Sequence, residues 1–254
     1  MPAVAAHYQF GQLVLNKTNK KVKDLVNKNK EMFDLGLQGP DLLFYYKPQR
    51  KNIISKRGHD IHSKAGLEFF SNLIDSKEKI KESQLAYFIG ACCHYSLDRY
   101  CHPLINKYSK NSVEHQKLES EFEFLIISKY NLSNKRYKMI PIKNISKKSL
   151  ENIYIGVDTS KVKIANYTMR IANLFLQYRK LVEKFENIIG NSQVFSSLIL
   201  PKNIEDYSKV YEILEQFNEA INDALNLIEI IIDENLDYIK LKENMLLNFE
   251  GVVE

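Results

Sequence analysis

The stretch IKESQLAYFIGACCHYSLDRYCHP, residues 80–103, decides the fold. Apolar residues recur through it at the spacing of an α-helix, and a proline follows the last of them. Because proline lacks a backbone N–H, it is typical of a position where a helix stops. The sequence therefore predicts a strongly apolar helix from about Ile80 to His102, ended by Pro103.

This predicted helix carries a row of metal-binding residue types. His94, Asp98 and His102 stand four residues apart. Each step of four turns a helical side chain by about 40°, so the three side chains fan over about 80° of one face. Gly90 and Ala91 share that face, and their small side chains would leave room for ions or a ligand. We expect the helix to pack on one side and to line a cleft on the other.

The rest of the chain is also predicted to be helical. Nine glycines and six prolines in 254 residues are few, which disfavours a many-stranded sandwich or barrel. Irregular chain is expected from about Gly36 to Gly58, and a polar connection over 131–156. No repeat or flexible linker divides the sequence, so we expect one all-α domain over residues 1–254. The further predicted helices are residues 7–29, 60–75, 113–130, 159–189 and 204–247.

Composition and charge limit the class of protein. The chain is 44% hydrophobic with a net charge of +5, and its basic residues are mostly lysine. This diffuse charge permits contact with nucleic acid or anionic lipid without indicating either. We see no signal peptide, and the longest apolar run, residues 225–236, is broken by Glu229 and Asp233. The sequence therefore predicts a cytoplasmic protein without a transmembrane segment.

Three cysteines, Cys92, Cys93 and Cys101, lie within ten residues. Their odd number argues against a disulfide framework. Metal ligation by these thiols is one interpretation, and buried reduced thiols are the favoured one.

A second pair of residues repeats the helical spacing of the first. His115 and Glu119 stand four apart on a different predicted helix. Imidazole nitrogen and carboxylate oxygen are preferred ligands of zinc, and residues at i and i+4 converge on one ion. One such pair alone is more often a solvated surface pair.

Further candidates precede these helices. His59 and His62 lie in the motif GHDIH, Asp41 follows a Gly-Pro turn, and His7 comes just before the first helix. Taken singly, each has an ordinary structural explanation, such as turn chemistry for Asp41. All six histidines nevertheless fall within the first 115 residues. That distribution favours one site built from several segments.

Other catalytic chemistries find little support. The sequence contains no GxxxxGK[ST], GxGxxG or GxSxG motif. A cysteine nucleophile at Cys101 would lack a glycine-rich oxyanion turn.

The ordered set of candidates resembles the zinc-dependent phospholipase C family, the prokaryotic all-helical enzymes that include clostridial alpha-toxin. The wider superfamily includes single-strand-specific nucleases with a similar zinc site. The resemblance implies a bacterial hydrolase whose helices surround a multinuclear zinc cleft, with about eight to ten helices in all. The residues that carry it are His7, Asp41, His59 or His62, His94, Asp98, His102, His115 and Glu119.

The resemblance implies how zinc would be bound. Asp41, His59 or His62, His94 and Asp98 would hold one ion. His102, His115 and Glu119 would hold a second. His7, Asp98 and the amino terminus would hold a third, for which this sequence lacks the family's amino-terminal Trp, so two ions are expected first. Asp98 would bridge between ions, and Asp41 matches the carboxylate proposed as general base.

The resemblance also implies the reaction. The expected activity is hydrolysis of a phospholipid or another phosphodiester by a metal-activated water. Because the toxins' C-terminal lipid-binding domain has no counterpart in this sequence, soluble or dispersed substrates are favoured over bilayers. The alternatives are a single-strand nuclease, which would need stacking aromatics such as Tyr45, Tyr46 and Tyr95 near the metals, and a non-catalytic helical metal-binding protein.

Overall fold

The computed structural model describes residues 4–75, 80–143, 145–154, 156–189, 195–232 and 237–253. As predicted, these residues form an all-α structure, and the described part contains no strand beyond an isolated bridge between Leu247 and Val253. Its α-helices are α1 (Val4–Lys17), α2 (Lys20–Lys28), α3 (Lys30–Gly36), α4 (Ile53–Ser63), α5 (Gly66–Asp75), α6 (Glu82–Tyr108), α7 (Ser112–Lys129), α8 (Lys147–Leu150), α9 (Thr159–Phe175), α10 (Arg179–Ile189), α11 (Tyr207–Ile232) and α12 (Tyr238–Asn244). Three 3₁₀ helices accompany them, Gly39–Tyr45, Arg136–Met139 and Ser196–Leu198.

The described residues thus form twelve α-helices, where eight to ten were expected. The number is larger because capping residues divide stretches whose apolar periodicity predicts one continuous helix. Asn19 accepts the Val22 N–H and starts α2 within the predicted 7–29 helix. Asn52 accepts the N–H groups of Ile54 and Ser55. It thereby starts α4 inside the stretch predicted to be irregular.

Helix α6 does not end before Pro103. It continues to Tyr108 with the proline inside it, contrary to the prediction. The fixed φ of proline suits a helix, and the cost is the missing N–H to the Arg99 carbonyl. Packing offsets that cost, since Ile105 in the last turn is buried. The prediction weighed the local cost of proline without this tertiary contact.

The surroundings of α6 also differ from the prediction. Most of it runs through the core between α3 and α11, and near its end Asn106 lines a cleft. Gly90 and Gly36 let α3 approach, because a Cβ on Gly90 would lie 2.2 Å from the Phe33 carbonyl oxygen. The space expected at Gly90 and Ala91 is therefore filled by the backbone of α3, not by ions or a ligand.

Two buried ion pairs tie the helices around α6. Arg99 of α6 pairs with Asp223 of α11, and it also donates to the carbonyl of Asn244, the last residue of α12 (2.6 Å). Arg136 pairs with Glu123 of α7 (2.5 Å).

The three cysteines are free and buried, as favoured from the sequence. No described helix combines the length and apolarity that crossing a membrane requires.

Candidate metal centre

The structure brings seven of the nine predicted ligands into two groups. Within each group, one ligand atom from every residue lies within 4.8 Å of the others. The first group is Asp41, His62, His94 and Asp98, and the second is His102, His115 and Glu119.

Helix α6 supplies the central residues of both groups. His94, Asp98 and His102 are all buried, as their four-residue spacing on one face allows. The Asp98 carboxylate lies 3.1 Å from His94 Nε2 and 3.9 Å from His102 Nε2. Asp98 therefore stands between the two groups, where one carboxylate could serve ions on both sides.

Helix α7 completes the second group. The Asn111 side chain caps its start, and it carries His115 and Glu119 one turn apart. Glu119 Oε1 lies 3.1 Å from His115 Nε2 and 3.5 Å from His102 Nε2. We call His94, Asp98 and His102 the α6 row. The pair predicted from spacing alone thus lies beside His102, the third residue of this row.

The first group is completed by the segment before α4 and by α4 itself. Asp41 follows Pro40 in the first turn of the 3₁₀ helix, and its Oδ1 lies 2.8 Å from His62 Nε2. Gly39, two residues before Asp41, lets this segment lie against the His94 ring. It has a φ of +50°, and a Cβ there would lie 2.5 Å from the His94 ring.

Backbone carbonyls orient three of the histidines. Each uses Nδ1 toward a carbonyl oxygen, which leaves Nε2 facing the group. The contacts are His62 with Gly58 (2.8 Å), His94 with Leu37 (3.1 Å) and His102 with Phe249 (2.9 Å). Metal-ligating histidines are commonly fixed in this way.

The inward atoms fit a cation. Within the described part of the chain, His94 Nε2, Asp98 Oδ2 and Glu119 Oε2 are buried without a hydrogen bond of good geometry. Buried polar atoms nearly always have a partner. Nitrogen and carboxylate oxygens in groups of three and four match the ligands of zinc. The residues present therefore fit the metal that the sequence predicts.

Charge within the groups favours ionised carboxylates. Burial opposes ionisation of Asp98, but the neighbouring His94 and His102 hold its pKa well below its usual range. Burial likewise opposes ionisation of Glu119, whose pKa is lowered by hydrogen bonds from His102 and His115. Burial raises the pKa of Asp41, but nearby positive charge, to which His62 and His94 contribute, lowers it overall. Three buried carboxylates thus require positive charge beside them.

His7 and His59 take different places. His7 is buried, its ring stacks on His94 with centroids 4.2 Å apart, and its Nε2 lies 3.3 Å from Asp98 Oδ1. It adjoins the first group without joining it. The amino terminus predicted to help His7 hold a third ion lies outside the described residues. His59 is exposed, and its ring lies against Phe44. Of the two candidates His59 and His62, the structure therefore places His62 in the first group.

Sequence reasoning missed the segment after α12. Phe249 accepts the His102 Nδ1–H through its carbonyl, and its own N–H donates to the His62 carbonyl (3.3 Å). Its ring lies against His62 and His94. Glu250 is the one metal-binding residue type in the described part of this segment, with its Oε1 3.8 Å from His102 Nδ1. It stands far from every histidine in the sequence, so local spacing gives no signal for the segment's role.

A cleft of about 730 Å³ opens beside both groups. His62 and His115 contribute to its wall, one from each group. Three basic side chains also line the cleft, and none of them forms an ion pair with another described residue. They are Arg50, Lys51 and Lys110.

Comparison with known proteins gives one match. A family model described as zinc dependent phospholipase C matches residues 6–182, a stretch that contains both groups. The chain belongs to the zinc-dependent phospholipase C family. No curated protein and no solved structure matches it.

Proposed function

We propose that this member of the zinc-dependent phospholipase C family hydrolyses a phosphodiester bond in a phospholipid or a soluble diester. The observation that carries the proposal is the pair of buried ligand groups joined by Asp98 beside an open cleft. Two adjacent cation sites suit a reaction in which negative charge develops on a phosphoryl group.

Both groups of side chains are assigned to metal binding. The first and second groups would each hold a zinc ion, with Asp98 placed to serve both. Bound zinc would supply positive charge that polarises the phosphoryl group and lowers the pKa of water. Nδ1 contacts to carbonyls keep His62 and His94 ready to bind through Nε2.

Asp41 is the proposed general base. Its Oδ1 lies 2.8 Å from His62 Nε2 within the first group, where the carboxylate would be placed to accept a proton from the attacking water. The water oxygen bonds to phosphorus while the bond from phosphorus to the leaving alcohol oxygen breaks. The phosphomonoester keeps the new oxygen, and the alcohol oxygen takes up a proton.

The cleft favours a lipid or soluble diester over nucleic acid. Arg50, Lys51 and Lys110 suit an anionic diester. None of the three tyrosines considered for base stacking lines the cleft, and the Phe44 ring of its wall lies against His59 and His62. Tyr95 is fully buried, and its hydroxyl donates to the Leu247 carbonyl. Tyr45 and Tyr46 pack against the core.

The test is hydrolysis of a soluble phosphocholine diester and of single-stranded DNA at matched phosphodiester concentration. Zinc-loaded protein should release phosphomonoester from the soluble diester faster than it cleaves DNA, and chelation should abolish both reactions. A reversed preference would promote the nuclease alternative. Full zinc content without turnover of any diester would identify a non-catalytic metal-binding protein.

A further inference from the structure

Helix α9, helix α10 and their junction all carry exposed apolar side chains. Eight of the seventeen exposed large hydrophobic side chains of the described residues fall between positions 164 and 188, each between 38% and 74% exposed. Such clustering exceeds the scattered apolar residues of an ordinary surface. We call this set the α9–α10 stripe; its members are Ile164, Tyr167, Ile171, Leu174, Tyr178, Leu181, Phe185 and Ile188.

The stripe follows one face of each helix. At about 100° per residue, the four α9 members fall within an arc of about 80°, and the three α10 members within about 60°. The opposite face of α9 supplies the core through Val162, Ala165 and Met169. On α10, Val182 is buried. Phe185 packs edge-on against Phe175 and Phe195, and no other member of the stripe makes a ring contact within the described structure.

Positive charge accompanies the stripe. Lys161 and Lys163 lie to either side of it on α9, which contains no acidic residue. On α10, Lys184 lies beside it. The acidic residues of α10 do not offset these lysines, because Glu183 pairs with Arg179 (3.8 Å) and Glu186 is buried, accepting backbone N–H groups after the helix.

We propose that the α9–α10 stripe docks this protein on an anionic phospholipid surface. Apolar side chains beside lysines are typical of helices that lie in the plane of a membrane interface, whereas lysine is depleted in protein–protein interfaces. The inference rests on the proposed function, because a phospholipid surface would present the phosphodiester that the protein hydrolyses. It gives the helical chain a route to bilayers, where the sequence led us to expect soluble or dispersed substrates.

Vesicle sedimentation tests the proposal. Wild-type protein should bind vesicles of phosphatidylcholine with phosphatidylglycerol more tightly than vesicles of phosphatidylcholine alone. Ile171→Ser and Leu181→Ser, both at exposed positions, should together weaken binding by at least about tenfold. Ile239→Ser is the matched control, since Ile239 is exposed on α12, away from the stripe.

Two further measurements separate the outcomes. Turnover of a soluble diester should be unchanged in the double variant, so loss of vesicle binding with full activity supports the stripe alone. A wild-type protein that binds vesicles but hydrolyses no diester would refute the proposed function and leave the docking surface standing. The stripe proposal is overturned if Ile239→Ser weakens binding equally, if wild-type protein ignores both vesicles, or if ultracentrifugation shows a dimer that Ile171→Ser dissociates.

Discussion

At the scale of single residues, Asp98 and Asp41 occupy different positions in the candidate metal centre. Asp98 contacts histidines of both groups and adjoins His7, whereas Asp41 contacts His62 in the first group. Removing the Asp98 charge should therefore release metal. Removing the Asp41 charge should chiefly slow proton transfer.

The comparison of Asp98→Asn with Asp41→Asn tests these roles. Asp98→Asn should lose bound zinc together with activity. Asp41→Asn should keep most of its zinc and lose turnover by on the order of 10²–10⁴, the usual scale for a general base. Zinc content and initial rates of diester hydrolysis decide the outcome. Full zinc and a wild-type rate in Asp98→Asn would mean that the α6 row binds no catalytic metal.

Gly39 offers a test of how the first group is shaped. Gly39 and Gly156 both have positive φ, at +50° and +74°, but only a Cβ at Gly39 would meet another side chain, the His94 ring. Gly156→Ala should cost about 1 kcal/mol of unfolding free energy from backbone strain. Gly39→Ala should cost about 1–3 kcal/mol more from the clash and should weaken zinc binding. Urea unfolding with zinc analysis checks this, and equal effects at both sites would refute the role of Gly39.

At the scale of elements, one buried carboxylate fastens the start of α1. Glu123 of α7 accepts the Ala5 N–H (2.5 Å) and pairs with Arg136 (2.5 Å), which also donates to the Leu198 carbonyl. Two residues beyond Ala5, His7 reaches Asp98. The position of His7 beside the metal centre therefore depends on a contact one turn beyond Glu119 on α7.

Glu123→Gln should destabilise the fold by about 3–5 kcal/mol, because it leaves the Arg136 charge buried without its partner. The matched control is Glu68→Gln, which breaks an exposed pair with Lys64 and should cost about 0–1 kcal/mol. Chemical denaturation of the zinc-free proteins measures both. Similar small losses in the two variants would show that the buried pair does not hold α1.

How far the sequence predicts these elements depends on what each one rests upon. Helical periodicity gave the all-α class, and four-residue spacing gave the ligand pairs on α6 and α7, since both are local properties. The extension of α6 through Pro103 and the close packing at Gly90 depend on tertiary contacts, which no local pattern reports. The choice of His62 over His59 depends on how α4 packs, and the roles of Phe249 and Arg136 depend on chain segments far from the histidines.

At the scale of the whole molecule, the α6 row, the α7 pair and the Asp41 segment converge from distant parts of the chain. Their convergence forms a centre that no single segment could build. The cleft cations would meet the substrate at the candidate centre, while the α9–α10 stripe would face the surface that holds it. Chemistry and docking are thereby assigned to different residues, which lets variants separate them.

The zinc content of the purified protein tests the central claim most directly. After reconstitution with zinc and removal of free metal by gel filtration, elemental analysis should find at least two zinc ions per chain, one for each buried group. Two ions are expected without help from the amino terminus, because both groups are complete within residues 41–119. A content below one ion per chain would contradict the account, since the buried carboxylates and histidines would then be a structural network rather than a metal centre.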